Sequence, residues 1–271
     1  MRLREALMLA AATALLASAC SRLTFVKPNA QRKSADRVAP EYSFKETEAS
    51  KRRGEARRRL AAAEQQLQAG QLAEAEAEAR AAIKADPGLA DAQTVMGLVL
   101  MRRGQGERAG AYYAEAAKLA PSGVTYNNYG AWLCSHQRAG ESLRWFDQAV
   151  GDPNYADRSD AMANAGACAA NAGQYDRVER DLRAALERDP ANVVALGAMA
   201  EDQYRQGRWL EARAFSERRL AVAAPTPASL ELASQIEEKL GDRVAAARYV
   251  ERLRTQFPQA RTALPGESSQ P

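Results

Sequence analysis

Residues 97–121, GLVLMRRGQGERAGAYYAEAAKLAP, contain a glycine, Gly104, followed 17 residues later by a proline, Pro121. This spacing recurs along the chain and decides the fold. Five glycines lie 34, 69, 34 and 34 residues apart: Gly70, Gly104, Gly173, Gly207 and Gly241. Each is followed by a proline, 17 residues later in four cases and 18 in the fifth: Pro87, Pro121, Pro190, Pro258 and, after Gly207, Pro225. A period of 34 residues indicates an array of helical repeats.

The residues between these turns fit the tetratricopeptide repeat, a 34-residue pair of antiparallel helices with the pattern W-x2-L-G-x2-Y, A-x3-F and P. Six units align with it. Small residues occupy the positions where the two helices of a unit cross: Ala75 and Ala82; Gly97, Ala109 and Ala116; Gly130, Ser142 and Ala149; Gly166 and Ala185; Ala200 and Ala212; Ser234 and Ala246. Larger side chains fill the core positions: Leu100, Tyr113, Leu133, Phe146, Leu182, Met199, Leu230 and Val250. Two extra residues near Asp152–Tyr155 predict a longer turn between the third and fourth units.

Composition supports an all-α fold. The chain of 271 residues is 46% apolar but only 6% aromatic, and it has no alternating β-branched runs that would favour strands. We therefore predict a right-handed superhelical solenoid of about six tetratricopeptide repeats over residues 53–260. An irregular helical bundle would require six registers to agree by chance. Because each repeat of a solenoid contacts only its neighbours, the length sets the number of repeats rather than the number of domains.

The first 19 residues have the features of a signal peptide. Arg2 and Arg4 precede an apolar stretch, Ala6–Leu16, which is followed by small residues and then Cys20. This arrangement resembles a bacterial lipoprotein signal, so we expect cleavage before Cys20 and acylation of its thiol. Ordinary secretory cleavage after Ala19 is the alternative. A membrane-spanning helix needs roughly 20 apolar residues, more than this stretch provides.

Residues 20–52 and 261–271 flank the predicted solenoid as a flexible basic tether and a disordered tail. The tether contains prolines, serines, threonines and mixed charge, without a helical apolar stripe. Residues 21–59 have 12 Lys/Arg and 5 Asp/Glu, whereas residues 60–271 have 24 and 28. The net charge of +4 is therefore local and does not indicate nucleic-acid binding. The basic residues are either solvated or attracted to anionic lipid head groups or cell-wall polymer.

The sequence offers no catalytic constellation. His136 is the single histidine, and the nearest nucleophile, Cys134, lies two residues away, so on a helix their side chains point about 200° apart. Apart from Cys20, only Cys134 and Cys168 remain as thiols, too few for a metal site. The glycines mark turns and helix crossings rather than a phosphate-binding loop. We predict a non-enzymatic protein with no cofactor, no metal, no nucleic-acid partner and no small-molecule substrate.

The inner face of the array is the predicted binding surface. In such solenoids the first helix of each repeat lines a concave groove that binds extended or helical peptides. Asn128 and Asn164 each lie two residues before the crossing glycine of their repeat, and a carboxamide can both donate to and accept from a peptide backbone. The alternative is that these asparagines bridge helices within the solenoid. The predicted partner-binding residues are Tyr126, Asn127, Asn128, Trp132, Ser135, Asn164 and Asn171.

Three parts of the chain carry a resemblance to a known family. They are the runs YNNYGAWLC (126–134) and ANAGAC (163–168), with Pro153 and Tyr155 between them, and the ending from Gly241 to Pro258. Together with the lipoprotein signal and the six repeats, they resemble the PilF/PilW family of type IV pilus biogenesis lipoproteins. The generic repeat explains the crossing glycines but not the Asn-Asn-Tyr-Gly run or the two cysteines. The resemblance covers nearly the whole chain.

The resemblance implies a function. Members of that family act as pilotins, which sit in the outer membrane facing the periplasm and help the pilus secretin to localise and multimerise. It therefore implies an outer-membrane anchor through acylated Cys20 and a secretin subunit as the protein partner. Position 21 is Ser rather than the aspartate that often marks inner-membrane retention, and in this respect the chain resembles outer-membrane lipoproteins. A periplasmic scaffold for cell-wall hydrolases or proteases, using the same groove, is the alternative.

Cys134 and Cys168 are predicted to form a disulfide. They lie 34 residues apart, on the first helices of the third and fourth units, which pack side by side. Cys134 follows its crossing glycine by four residues and Cys168 follows its own by two. This offset turns the side chains to nearly opposite sides of their helices, so both can face one interface. An oxidising periplasm would favour the bond. Two buried free thiols are the alternative.

Overall fold

The computed structural model describes residues 47–259, which form twelve α-helices and no strand. The first helix has 21 residues, and each of the others has 13 or 14. In chain order they are α1 (Glu48–Gln68), α2 (Leu72–Ala85), α3 (Ala90–Arg102), α4 (Gly106–Leu119), α5 (Gly123–Ser135), α6 (Ala139–Gly151), α7 (Arg158–Asn171), α8 (Tyr175–Arg188), α9 (Val193–Arg205), α10 (Trp209–Val222), α11 (Pro227–Leu240) and α12 (Arg243–Gln256).

These helices form six consecutive helix–turn–helix units, from α1/α2 to α11/α12. Each helix packs on the helices that precede and follow it in the chain, and first helices also contact first helices of neighbouring units: α1 with α3, α5 with α7, α7 with α9 and α9 with α11. Second helices make no comparable contact with one another within residues 47–259. The first helices therefore lie on the inner side of the stack. The predicted all-α tetratricopeptide solenoid is confirmed.

Small residues at the helix crossings allow the paired helices to approach closely. A Cβ added to Gly97 would lie 2.8 Å from the ring of Tyr113, and one added to Gly130 would lie 2.8 Å from the ring of Phe146. Because these separations are far below van der Waals contact, no larger residue fits without moving an aromatic ring. The alanines at equivalent crossings are fully buried: Ala75, Ala82, Ala109, Ala149, Ala185 and Ala212.

The periodic glycines end the first helix of a unit in the left-handed region, which L side chains rarely adopt. Their φ angles lie between 71° and 82°: Gly70, Gly104, Gly173, Gly207 and Gly241. The 69-residue gap in the glycine series falls on the third unit. There Gln137 occupies the equivalent turn with a φ of 60°. The 69 residues divide into 33 from Gly104 to Gln137 and 36 from Gln137 to Gly173, so one glycine is substituted and no repeat is missing.

The predicted longer turn between the third and fourth units is confirmed, and it spans residues 152–157 between α6 and α7. The Asp152 carboxylate accepts hydrogen bonds from the backbone N–H of Gly123, at 2.6 Å, and of Asn154, at 2.9 Å. These bonds hold the pKa of Asp152 below its ordinary value. Tyr155 is buried on Gly123, where an added Cβ would overlap its ring. The turn is therefore a packed link to the start of α5.

Two expectations about the solenoid are corrected. α1 begins at Glu48, so residues 48–52, expected in the tether, are helical; Thr47 caps this helix by accepting from the N–H of Ser50 at 3.1 Å. Val250, expected in the core, is 42% exposed. It lies on the last described helix, where no further unit covers its outer side.

The other sequence predictions for the ends of the chain fall on residues that the structure does not describe. These are the signal peptide over residues 1–19, the acylated Cys20, the tether up to residue 46 and the tail over residues 261–271. Among the helices of residues 47–259, none combines the length and the apolar composition that a membrane span requires.

Candidate functional site

The inner face of the third to fifth units is formed by α5, α7 and α9. Residues one repeat apart occupy equivalent places on these helices, so the face is a ladder of repeated positions. Small side chains that are exposed or only partly buried lie along its middle: Ala131, Ala167, Ala170, Gly197 and Ala198. Because these side chains are short, an extended peptide can come close to the helices. Polar and charged residues flank this strip.

The predicted groove asparagines differ in their contacts. The Asn164 side-chain N–H donates to the Oδ1 of Asn127 at 3.0 Å and so links α7 to α5. These two residues therefore bridge neighbouring units, which is the alternative stated above. Asn128 is partly exposed, and its carboxamide has no hydrogen-bond partner in the described part of the chain. Asn128 is therefore free to donate to and accept from a bound backbone.

Trp132 is not a groove residue, which corrects the sequence prediction. Its side chain is 8% exposed, and its indole N–H donates to the carbonyl of Gly106 at 2.8 Å. The ring lies over Gly110 of α4, where any Cβ would overlap it. The ring of His136 stacks on the indole at a centroid distance of 4.6 Å. Trp132 therefore joins the second unit to the third, and the glycine at position 110 is the signal in the sequence that could have indicated this.

Of the remaining predicted binding residues, one packs within the array and two are exposed. Tyr126 is half-buried and packs against Trp145 at a centroid distance of 5.5 Å, so it supports the pairing of α5 with α6. Ser135 is exposed, although its hydroxyl donates to the carbonyl of Trp132 at 2.9 Å. Asn171 is exposed at the end of α7. Asn128 and Asn171 thus remain the best placed of the predicted residues for contact with a partner.

A pocket on the inner face lies between α7 and α9. Small side chains and Val178 form its floor, and three polar side chains line it as well: Asn171, Glu201 and Arg205. Arg205 pairs with Asp202 at 3.2 Å, whereas Glu201 is exposed and has no ion-pair partner within residues 47–259. The pocket can therefore accept a small apolar side chain and present a carboxamide and a free carboxylate to the adjoining backbone or to a cation.

Sequence reasoning found Asn171 but missed the other polar residues of this pocket. The 34-residue period could have indicated these residues. Arg205 lies 34 residues after Asn171, and Glu201 lies 34 residues after Ala167, so each pair occupies one register of the array. Projecting Asn171 forward by one repeat would have indicated the second wall of the pocket.

The predicted disulfide is confirmed. Cys134 and Cys168 are bonded, with their Cα atoms 5.9 Å apart, and the bond joins α5 to α7. Cys168 is buried and Cys134 is partly buried. The bond connects the same two helices as the hydrogen bond between Asn127 and Asn164. The third and fourth units therefore present their inner face as one fixed surface.

The titratable groups of the described residues are few and separated on this face. Within residues 47–259 no group of three or more His, Cys, Asp or Glu side chains is placed to hold a metal ion. The single histidine is occupied structurally, because the Nδ1 of His136 lies 2.8 Å from the carbonyl oxygen of Trp132. What the face presents is the carboxamides of Asn128 and Asn171, the unpaired carboxylate of Glu201 and small apolar side chains.

Comparison with known proteins gives a consistent result. No family model matches the sequence. The chain is 27% identical over 199 residues to the type IV pilus assembly protein PilF of Pseudomonas aeruginosa, which covers 71% of this chain and 77% of that protein. The crystal structure of PilW, a widely conserved type IV pilus biogenesis factor, matches with a TM-score of 0.68 at 26% identity, over 75% of this chain and 94% of that one. The structure of P. aeruginosa PilF matches with a TM-score of 0.65 at 22% identity, over 77% and 95%.

Proposed function

Since the chain is homologous to the PilF and PilW tetratricopeptide-repeat proteins of type IV pilus biogenesis, we propose that it is a non-enzymatic adaptor of the pilotin class. In this function it binds the pilus secretin subunit and promotes its localisation and multimerisation in the outer membrane. The observation that carries the proposal is the match to PilW over 94% of that chain, since it includes almost the whole array rather than a single generic repeat.

The inner face of the array provides the binding surface in this proposal. The unpartnered carboxamide of Asn128 and the pocket at Asn171 and Glu201 lie on successive first helices. A segment of the secretin subunit that crosses these helices would make backbone hydrogen bonds to the carboxamides and place a small side chain in the pocket. Because the disulfide and the asparagine bridge fix α5 against α7, little ordering would be needed on binding.

Membrane anchoring completes the proposed mechanism. Acylation of Cys20 would hold the array at the periplasmic side of the outer membrane. A flexible segment from Cys20 to Glu48 would give the array a root-mean-square reach of about 30 Å. A secretin subunit bound within that distance is confined to a thin layer beside the bilayer, which raises its effective concentration for multimerisation.

Deletion of the gene tests this function. We expect a deletion strain to lose detergent-resistant secretin multimers while it keeps secretin monomers and normal cell-wall turnover. The full chain should restore the multimers. A matched strain that expresses the Cys20→Ser variant should restore them poorly, because the adaptor is then no longer concentrated at the membrane. Normal secretin multimers in the deletion strain, together with altered cell-wall turnover, would refute the proposal in favour of a scaffold for envelope enzymes.

A further inference from the structure

The first helix begins with an unusually basic end. Residues 48–59 contain six Lys/Arg and two Glu, and all of these side chains are exposed. Two of the cations are paired: Lys51 with Glu48 at 2.9 Å and Arg59 with Glu78 at 3.1 Å. The other four, here called the arginine cluster, have no carboxylate within ion-pair distance in the described part of the chain: Arg52, Arg53, Arg57 and Arg58.

Arg52 and Arg53 lie where α1 reaches beyond its partner helix, and Arg57 and Arg58 are exposed on the turn that follows. α1 has 21 residues and α2 has 14, and the two meet at the turn around Gly70. About seven residues of α1, or roughly 10 Å, therefore extend past the end of α2. Burial in α1 begins only at Ala56 and continues at Leu60, Ala63 and Leu67. The overhanging turns thus contribute no buried side chain to the array, so packing explains neither Arg52 nor Arg53. Arg57 and Arg58 are exposed and contribute no buried side chain either.

The geometry of the cluster favours a surface over a single bound ion. A guanidinium group is always charged and can form two parallel hydrogen bonds to a phosphate. Since successive residues of a helix are turned by about 100°, the four arginines project in several directions around the tip of α1. No single phosphate could contact them all. We infer that the arginine cluster binds a surface of anionic phospholipid head groups.

The position of the cluster in the chain supports the same ligand. α1 is the first helix that the structure describes, and it begins 28 residues after Cys20, the predicted site of lipid attachment. Residues 60–271 have four more acidic than basic residues, so an anionic bilayer would attract the start of α1 and not the rest of the array. The cluster would thus orient the first unit toward the membrane. This inference does not require that Cys20 be acylated or that the partner be a secretin.

Vesicle binding tests the inference. The probe is the full chain with Cys20→Ser, which cannot be acylated, mixed with vesicles of phosphatidylcholine with or without phosphatidylglycerol. We expect binding to depend on phosphatidylglycerol and to weaken as salt is raised, since ions screen the attraction. Replacement of Arg52, Arg53, Arg57 and Arg58 by Gln should weaken that binding at least about tenfold, because each basic residue near an anionic surface contributes about fivefold.

A matched variant controls for net charge. It carries Gln at four other exposed arginines without ion-pair partners: Arg188, Arg243, Arg248 and Arg254. This variant should bind the anionic vesicles like the Cys20→Ser parent, and circular dichroism should show that both variants remain helical. Equal loss in the two variants, retention of binding without the arginine cluster, or no preference for phosphatidylglycerol would overturn the inference. Failure to bind vesicles together with capture of an acidic protein would also overturn it. None of these outcomes depends on secretin multimerisation.

Discussion

Gly110 and Trp132 show how a residue with no side chain can fix the junction between two repeats. The indole of Trp132 lies over Gly110 and is hydrogen-bonded to the carbonyl of Gly106. Because Gly110 has no side chain, the surface of α4 has room for the indole ring at this point. The contact therefore depends on the absence of a Cβ at position 110 as much as on the tryptophan.

We expect Gly110→Ala to lower the free energy of unfolding by about 1–3 kcal/mol, because the added methyl group forces the indole out of place. Gly197→Ala is the matched control. It also adds one methyl group to a helix, but nothing lies within 4 Å of the new Cβ, so stability should rise by up to about 1 kcal/mol. Urea denaturation of the two variants measures the difference. Equal stability of both would contradict the assignment of Trp132 to the junction.

Variants of Asn128 and Asn164 should affect different properties, partner binding in the first case and stability in the second. Asn128→Ala should weaken capture of the partner by up to about tenfold, since one hydrogen bond contributes roughly 0.5–1.5 kcal/mol, and should leave the melting temperature unchanged. Asn164→Ala breaks the bond to Asn127 and should lower the melting temperature by a few degrees. Thermal melts and pull-down assays on both variants test this. A drop in melting temperature for Asn128→Ala with normal capture would assign it to the scaffold.

At the scale of helices, the disulfide between α5 and α7 is the strongest local constraint. The bond closes a 34-residue loop. The chain-entropy model gives about 3–4 kcal/mol for a loop of this size, less any strain. We expect the Cys134→Ala/Cys168→Ala double variant to unfold at lower urea concentration than the oxidised chain by an amount of this order. A reductant should destabilise the natural chain and leave the double variant unaffected. A response of both chains to the reductant would point to another cause.

The turn that links α6 to α7 should make the free energy of unfolding depend on pH in the acidic range. Hydrogen bonds from the N–H groups of Gly123 and Asn154 lower the pKa of Asp152 in the folded state. The stabilisation is therefore present above the ordinary aspartate pKa of about 3.9 and is lost as the pH falls through the lowered folded value. Asp152→Asn should reduce the melting temperature at neutral pH, and the difference from the natural chain should shrink at strongly acidic pH. A difference that is constant with pH would contradict this account.

The helices were predictable from the sequence because each repeat position carries its own physical requirement. Gly70 and its equivalents supply left-handed turns, and Gly97 and Gly130 admit aromatic rings at the crossings. The sequence pattern failed at one turn, where a residue other than glycine adopts the left-handed conformation. Gln137 adopts a left-handed conformation in place of glycine, so the period appeared to skip one unit. Only the pattern of the neighbouring repeats revealed it.

The binding surface was less predictable because repeat position alone does not say which neighbour a side chain meets. The position of Asn164 on a first helix was correct, but its hydrogen bond to Asn127 depends on the distance between two helices. Trp132 was expected on the inner face but packs on α4 of the preceding unit, because Gly110 leaves room there. The register of Cys134 and Cys168, by contrast, was sufficient to predict their bond.

The whole molecule has two regions with different proposed partners. The arginine cluster at the start of α1 is inferred to contact anionic lipid, and the inner face of the third to fifth units is proposed to bind the secretin subunit. These surfaces belong to different units, so one molecule can hold both ligands. The homology to PilF and PilW spans most of the array.

Photo-crosslinking in cells that assemble type IV pili tests whether the inner face binds the secretin subunit. A photoreactive amino acid would replace Asn128 or Asn171 on the inner face, and Glu187, exposed on the second helix α8, would be the control position. Strains are compared only if the variant protein still supports pilus assembly. We expect the secretin subunit to be captured from positions 128 and 171 and not from position 187. Capture of no secretin from the inner face in cells with normal pili, or equal capture from position 187, would contradict this expectation.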